Sequence, residues 1–144
     1  MILLDTNVVS ELMRSSRDPA VEAWGASQPI EQLYFSTVGE AELRYCAAIM
    51  TTGQSRDKLV TAIESMLETA FEGRILPLDS KAARAYAEVV SARRAAGRPI
   101  SITVCQIAAI AHSRGMAVAT RNVRDFTDLG VDLIDPWARG FLQS

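Results

Sequence analysis

The sequence predicts a three-layer α/β/α sandwich on a mainly parallel sheet of about four to five strands. Three observations carry this. Short aliphatic runs alternate with longer segments whose apolar residues recur at helical spacing. The runs are apolar throughout, as in strands covered on both faces. No Asn-Gly or similar turn joins two alternating segments, so hairpins are not expected.

Met1-Ile2-Leu3-Leu4 is the first strand, ended abruptly by Asp5-Thr6-Asn7. The helix behind it carries Val8, Val9, Leu12 and Met13 on one stripe. Asp18-Pro19 supplies an N-cap and a first-turn proline for a short helix through Val21 and Trp24. Leu33-Tyr34-Phe35-Ser36 is the second strand. Val38 through Met50 is a helix with Leu43, Ala47 and Met50 on one side, stopped by Thr51-Thr52-Gly53. A longer helix runs from about Ser55 to Glu72 on Leu59, Ile63, Met66, Leu67 and Ala70, with Gly73 in the C-terminal left-handed position. Ile75-Leu76-Pro77-Leu78 is a third strand whose pairing stops at the proline.

Asp79 or Ser80 opens an Ala- and Arg-rich helix that ends at Gly97, before Pro99. Ser101 or Thr103 caps the next helix, Val104 to about Arg114, with Ile107, Ala108 and Ala111 inward and Gly115 at its end. Ala117-Val118-Ala119-Thr120 is a strand leaving through a polar loop at Arg121-Asn122. Asp132-Leu133-Ile134 is a last edge strand before Pro136 and Trp137. No repeat or linker interrupts the chain, which reads as one domain over residues 1–144.

The bulk properties exclude several classes. Apolar residues make up 49% and charged ones 22%, an ordinary globular balance. A net charge of −2 is too small and of the wrong sign for polyanion binding through overall charge. If nucleic acid is the partner, a metal or a local arginine cluster must supply the attraction. No run is long enough for a membrane helix, and the N-terminus lacks a basic leader with a long apolar region. Cys46 and Cys105 match no metal-ligand spacing and are expected as free thiols in a reducing cytoplasm.

Polar clusters follow three of the strands: Asp5, Thr6 and Asn7; Glu42, inside the helix after the second strand; and Thr120, Asn122 and Asp125. Parallel strands share one carboxyl edge, where α/β sheets place their ligands. Converging carboxylates raise one another's pKa unless a cation lies between them. An oxygen-only set suits Mg²⁺ or Mn²⁺ and lacks the His and Cys that zinc prefers. On Asp5 alone a competing reading stands beside this one, that it simply N-caps the next helix. His112, the one histidine, lies late in a helix and reads as a structural residue. Asp79 reads as an N-cap, Glu40 as a solvated first-turn acid, and Asp128, Asp132 and Asp135 as surface turn residues.

Four pieces carry a family resemblance: Leu3 to Val8, Ser36 to Tyr45, Pro99 to Ala109, and Thr120 to Phe126. In this order and spacing they resemble a PIN domain, and within that family the VapC and FitB-like toxins of bacterial and archaeal toxin–antitoxin pairs. The resemblance implies a Mg²⁺- or Mn²⁺-dependent endoribonuclease restrained by a small antitoxin and forming a homodimer. It implies catalytic, metal-binding roles for Asp5, Glu42 and Asp125, with Thr6, Asn7, Thr120 and Asn122 as supporting polar residues. Such toxins usually carry an acid in a pattern like Asp-Ala-Gln-Ile-Ala-Ala, where this chain has Val104-Cys105-Gln106-Ile107-Ala108-Ala109. Val104 thus replaces an expected metal-binding Asp, and losing a carboxylate weakens the hold on a hard cation. A residue joining the buried stripe of its helix would look the same.

Arg14, Arg44, Arg121 and Arg124 border these acids in sequence and are candidates for RNA phosphate contacts. An acidic pocket also invites an arginine from the antitoxin. Two function classes therefore stand: a metal-dependent ribonuclease toxin, and a catalytically silent module that binds antitoxin or RNA without cutting. A phosphotransfer domain is disfavoured, because Asn7 stands where the phosphatase pattern needs a second Asp and no Lys follows the late strand.

Overall fold

A computed structural model describes residues 1–98 and 101–138. Pro99, part of the third piece of the resemblance, lies outside the described residues. The elements run β1 (Ile2–Leu4), α1 (Thr6–Met13), α2 (Pro19–Ser27), β2 (Leu33–Ser36), α3 (Thr37–Ala48), α4 (Gln54–Ser65), β3 (Ile75–Leu76), α5 (Ser80–Ala95), α6 (Ile102–Ser113), β4 (Ala117–Ala119), α7 (Val123–Phe126) and β5 (Leu133–Ile134).

The strands form one sheet in the order β3-β2-β1-β4-β5, and every pairing is parallel. Register is fixed through β1, where Ile2 pairs with Leu33 and Ala117, and Leu4 with Ala119. Alternation along β1 divides the core. Leu3 points into one layer with Val118 of β4, Val89 of α5, and Ile107 and Ala108 of α6. Leu4 points into the other with Val8 of α1, Phe35 of β2, Leu43 of α3 and Ile63 of α4. Burying each leucine stabilises the fold by roughly 1.5–3 kcal/mol, which explains why β1 is apolar throughout.

The chain moves outward from β1 through β2 to β3, then returns to β4 on the other side. The strand order therefore reverses at β1, and helices after neighbouring strands diverge to leave a crevice at the carboxyl edge. Asp5 sits in that crevice, its N–H donating to the Ala119 carbonyl at 2.9 Å.

Three details depart from expectation. The long helix predicted to Glu72 keeps α-helical geometry only to Ser65, then widens into a π-type turn over Met66–Ala70. A 3-10 turn at Ile30–Gln32 precedes β2. The polar loop after β4 winds into α7, where the carbonyls of Asp125 and of the C-cap Thr127 accept from the buried Arg93 guanidinium at 3.2 and 2.8 Å. Gly73 takes the left-handed conformation as predicted, at φ 73°. Among the described residues no helix is long and apolar enough to cross a membrane.

Candidate active site

Asp5 closes β1 and caps α1. Its Oδ1 accepts from the Thr6 N–H at 2.8 Å, so the cap reading is correct as far as it goes. Its Oδ2 has a second task, accepting from the Thr120 hydroxyl at 2.8 Å. Thr120 is fully buried at the end of β4, and its Oγ1 in turn accepts from the Asn122 N–H at 2.9 Å. A relay thus runs from the loop after β4 to the carboxylate after β1. Asn7 adds a second tie, its Oδ1 accepting from the Arg121 N–H at 3.3 Å. The Thr6 hydroxyl donates to Oε1 of Glu42, which α3 brings in from beyond β2.

Asp5 is only 8% exposed. Burial pushes its carboxyl above the ordinary range; the Thr120 and Thr6 hydrogen bonds pull it down, and the charges of Glu42 and Asp125 push it up again. The donors that meet it are neutral.

These groups open on a cleft of about 560 Å³. Asp5, Thr6, Glu42 and Asn122 line it, and Val104 of α6 faces the same space. Asp125 does not line it: its side chain is exposed on α7, and its charge reaches Asp5 from outside. Among the described residues no three His, Cys, Asp or Glu side chains stand close enough to hold one metal ion. The geometry brings together Asp5 and Glu42, with the oxygens of Thr6 and Asn122 at the rim; a third acid in the lining, Glu11, is engaged with the Asp18 N–H and Arg14. Methyl groups of Val104 lie where the resemblance expects an acid.

The arginines divide. Arg14 and Arg121 line the cleft. Arg44 does not border it, because its guanidinium is held by Glu40 at 2.8 Å and Glu64 at 3.0 Å, and both contacts push its pKa up. That pairing also answers the choice between Glu40 and Glu42: Glu40 is a surface partner, Glu42 a cleft residue. Arg124 is exposed on α7 and is not part of the lining. Asp79 is an N-cap, accepting from the Ala82 N–H at 2.9 Å. His112 Nδ1 lies 2.8 Å from the Gly130 carbonyl, holding the turn before β5.

Among the cleft residues not singled out from the sequence, Glu11 and Trp137 stand out. Glu11 is buried, accepts from the Asp18 N–H at 2.7 Å and faces the cleft from α1. Its signal was present, since Asn7, Ser10, Glu11 and Arg14 repeat at helical spacing on one polar face. Trp137 reaches the cleft from after β5 and stacks under the Arg121 guanidinium, 5.1 Å from ring centre. No local pattern announces that contact.

The PIN domain model matches residues 2–131. The chain is 42% identical over 137 residues to the VapC ribonuclease Y4jK of Sinorhizobium fredii, covering 95% of this chain and 98% of that protein. It is 37% identical to the toxin FitB of Neisseria gonorrhoeae, covering 95% and 99%. The crystal structure of FitAcB from the same organism superposes with a TM-score of 0.89 at 37% identity, covering 95% of this chain and 99% of that one. A parallel five-stranded sheet, an acid-lined cleft at its switch point and matches along nearly the whole length agree: the chain belongs to the PIN-domain family.

Proposed function

We propose that this protein is the toxin of a toxin–antitoxin pair and a Mg²⁺- or Mn²⁺-dependent endoribonuclease, weakened by Val104. The observation that carries the reading is the convergence of buried Asp5 with half-buried Glu42 in one cleft, each held by a threonine hydroxyl. Relatives named as a VapC ribonuclease and as the toxin FitB support it.

The donor set fits a hard cation. Two carboxylates with neutral oxygens are what Mg²⁺ takes when waters and substrate phosphate complete its shell. Asp5 and Glu42 would hold the ion directly, while Asp125 adds negative field from outside the lining. When bound, such an ion acidifies a water for attack on the phosphodiester and offsets charge on the phosphate. The chain's own groups do the rest. Thr120 fixes the Asp5 carboxylate, Thr6 fixes Glu42, and Arg14 and Arg121 present N–H donors to phosphate oxygens. Val104 contributes no lone pair, so cation affinity is lower than three carboxylates would give.

Labelled RNA incubated with the chain in Mn²⁺ and in EDTA tests the reading, beside the Val104→Asp and Asp5→Asn variants. Cleavage that needs Mn²⁺, rises in Val104→Asp and vanishes in Asp5→Asn is the expected result. No cleavage by Val104→Asp, or cleavage that survives loss of Asp5, overturns it. Val104 also favours a second reading, a silent module that binds without cutting. Cleavage by Val104→Asp alone would establish that for the chain as it stands; robust cleavage by the unmodified chain rejects it.

The partners follow from the same reading. The antitoxin places an arginine against Asp5 and Glu42 and competes with the cation. Mutating every antitoxin arginine without change in inhibition or metal binding would sink this. A homodimer is the expected assembly, and exposed Tyr45, Ile49 and Ile102 offer apolar surface for partner contacts.

A further inference from the structure

The acid cleft does not end at Trp137. A second space of about 320 Å³ continues from it, and the two share Glu11, Arg14, Arg121 and Trp137. Its remaining wall is the loop between α1 and α2, with Ser16, Arg17 and Asp18. Six of its seven lining residues are polar or charged, so it does not suit the apolar face of a docking helix.

Charge in this arm is sorted by depth. Glu11 is buried and accepts the Asp18 N–H, while Asp18 turns its Oδ1 to the Ala20 N–H at 2.8 Å as the cap of α2. The guanidiniums lie outside. Arg14 is 64% exposed and meets Glu11 at 3.3 Å; Arg17 is 40% exposed and meets Glu22 at 3.6 Å. Exposed pairs of this length contribute little and yield readily to a phosphate. Arg121 is limited in a different way: its guanidinium lies over the indole of Trp137, and among the described residues no carboxylate pairs with it.

Resting on the ribonuclease reading, we propose that this arm is a subsite for single-stranded RNA beside the point of cleavage. Arg14, Arg17 and Arg121 take backbone phosphates, and the Arg121–Trp137 stack is the platform on which one base lies. A chain that is acidic overall thereby gains the local cationic surface that its composition denies it. Arg17 and Trp137 are positioning residues, not catalytic ones.

The test is binding without cleavage. A short, fluorescein-labelled single-stranded oligoribonucleotide is titrated by anisotropy in EDTA, at several salt concentrations, with the full chain and its variants. Arg17→Gln should weaken binding and reduce the salt slope by about 0.7, the share of one phosphate on a single strand. Trp137→Leu should weaken binding about fivefold or more, the lower end for one stacked base, while Trp137→Phe retains most of it. Since Trp137 is half-buried, circular dichroism checks its folding, and Arg17→Gln carries the test if Trp137→Leu fails to fold. Arg56→Gln on α4, equal in charge change but remote from the cleft, should leave affinity unchanged. Binding that Arg17→Gln leaves intact overturns the inference alone. Absence of RNA binding by the unmodified chain overturns both it and the ribonuclease reading. Displacement of the RNA by a polyglutamate peptide of matched charge, equally from the unmodified chain and Trp137→Leu, would show charge without stacking and also overturn it.

Discussion

Replacing Val104 by aspartate should destabilise the metal-free protein and reverse sign when Mn²⁺ is added. Val104 is the third residue of α6, and its N–H donates to the Ser101 cap at 3.3 Å. It lines the cleft with Asp5 and Glu42 while packing partly against the core. Removing its half-buried methyls costs about 1 kcal/mol. An acid in the first helical turn returns about 0.5 kcal/mol through the helix dipole. The larger effect is repulsion: like charges sharing one cleft, at an effective dielectric near 20, oppose each other by an amount on the order of 2 kcal/mol. Protonation of Asp5, already pushed upward, relieves part of this. The net loss is about 2 kcal/mol at neutral pH, a Tm lower by about 4–8 °C. With Mn²⁺ at about a hundred times its Kd the ion restores about 2.7 kcal/mol, and more than it gives the unmodified chain. Thermal melts followed by circular dichroism, in EDTA and in Mn²⁺, measure both quantities. Equal melting temperatures in EDTA with equal Mn²⁺ shifts would refute the argument, because Val104 would then not face the acids.

The carboxylate relay and the α3 seat give three more tests. Asp5→Asn should stabilise the metal-free chain at neutral pH: with its carboxyl raised, folded Asp5 binds more protons than unfolded, so stability falls as pH climbs from the ordinary value of 3.8 through the raised one. Asparagine caps α1 about as well, so chemical denaturation across pH should show the gain shrinking to nothing below that window. Thr120→Val strips Asp5 of a buried donor and the Asn122 N–H of its acceptor; it should cost about 1–3 kcal/mol in urea melts and move the pH profile of Mn²⁺ binding upward. Gly39→Ala would put a methyl 2.6 Å from Phe35 Cζ, under the turn that carries α3 towards the site. It should cost about 1–3 kcal/mol in the same melts and reduce RNA cleavage through Glu42.

The scaffold was legible wherever one signal had a local cause. β1 showed itself because Leu3 and Leu4 serve different cores, and Asp79 because its side chain caps a helix three residues on. The register of Asp5 against Thr120 was only implied, through strands 115 residues apart meeting at one edge. What stayed hidden depends on tertiary contact. Four residues cannot show a periodicity, and α7 is fastened by Arg93 from another helix. The π turn after Ser65 lies in a continuous apolar stripe that reads as ordinary helix. Arg44 looked like a cleft residue because it follows Glu42 closely, yet two positions along a helix turn a side chain to the opposite side, where Glu40 and Glu64 receive it. Nearness in sequence was the misleading cue there.

Asp5 also decides how far a capping role can explain this cleft. Asp18 and Asp79 cap helices too, and neither is buried. A cap needs one oxygen and tolerates solvent. Asp5 uses one oxygen for the cap, gives the other to a fully buried threonine, and lies near Glu42 and Asp125, whose charges oppose its own. Placing an acid there costs stability that no helix terminus requires, since neutral donors offset only part of the burial. The cation proposed between Asp5 and Glu42 would remove that cost, and Val104 lessens it in another way, by leaving out a further negative charge. On that proposal the same valine that would loosen the grip on metal makes the metal-free cleft easier to fold, and melts of Val104→Asp with and without Mn²⁺ separate the two effects by sign.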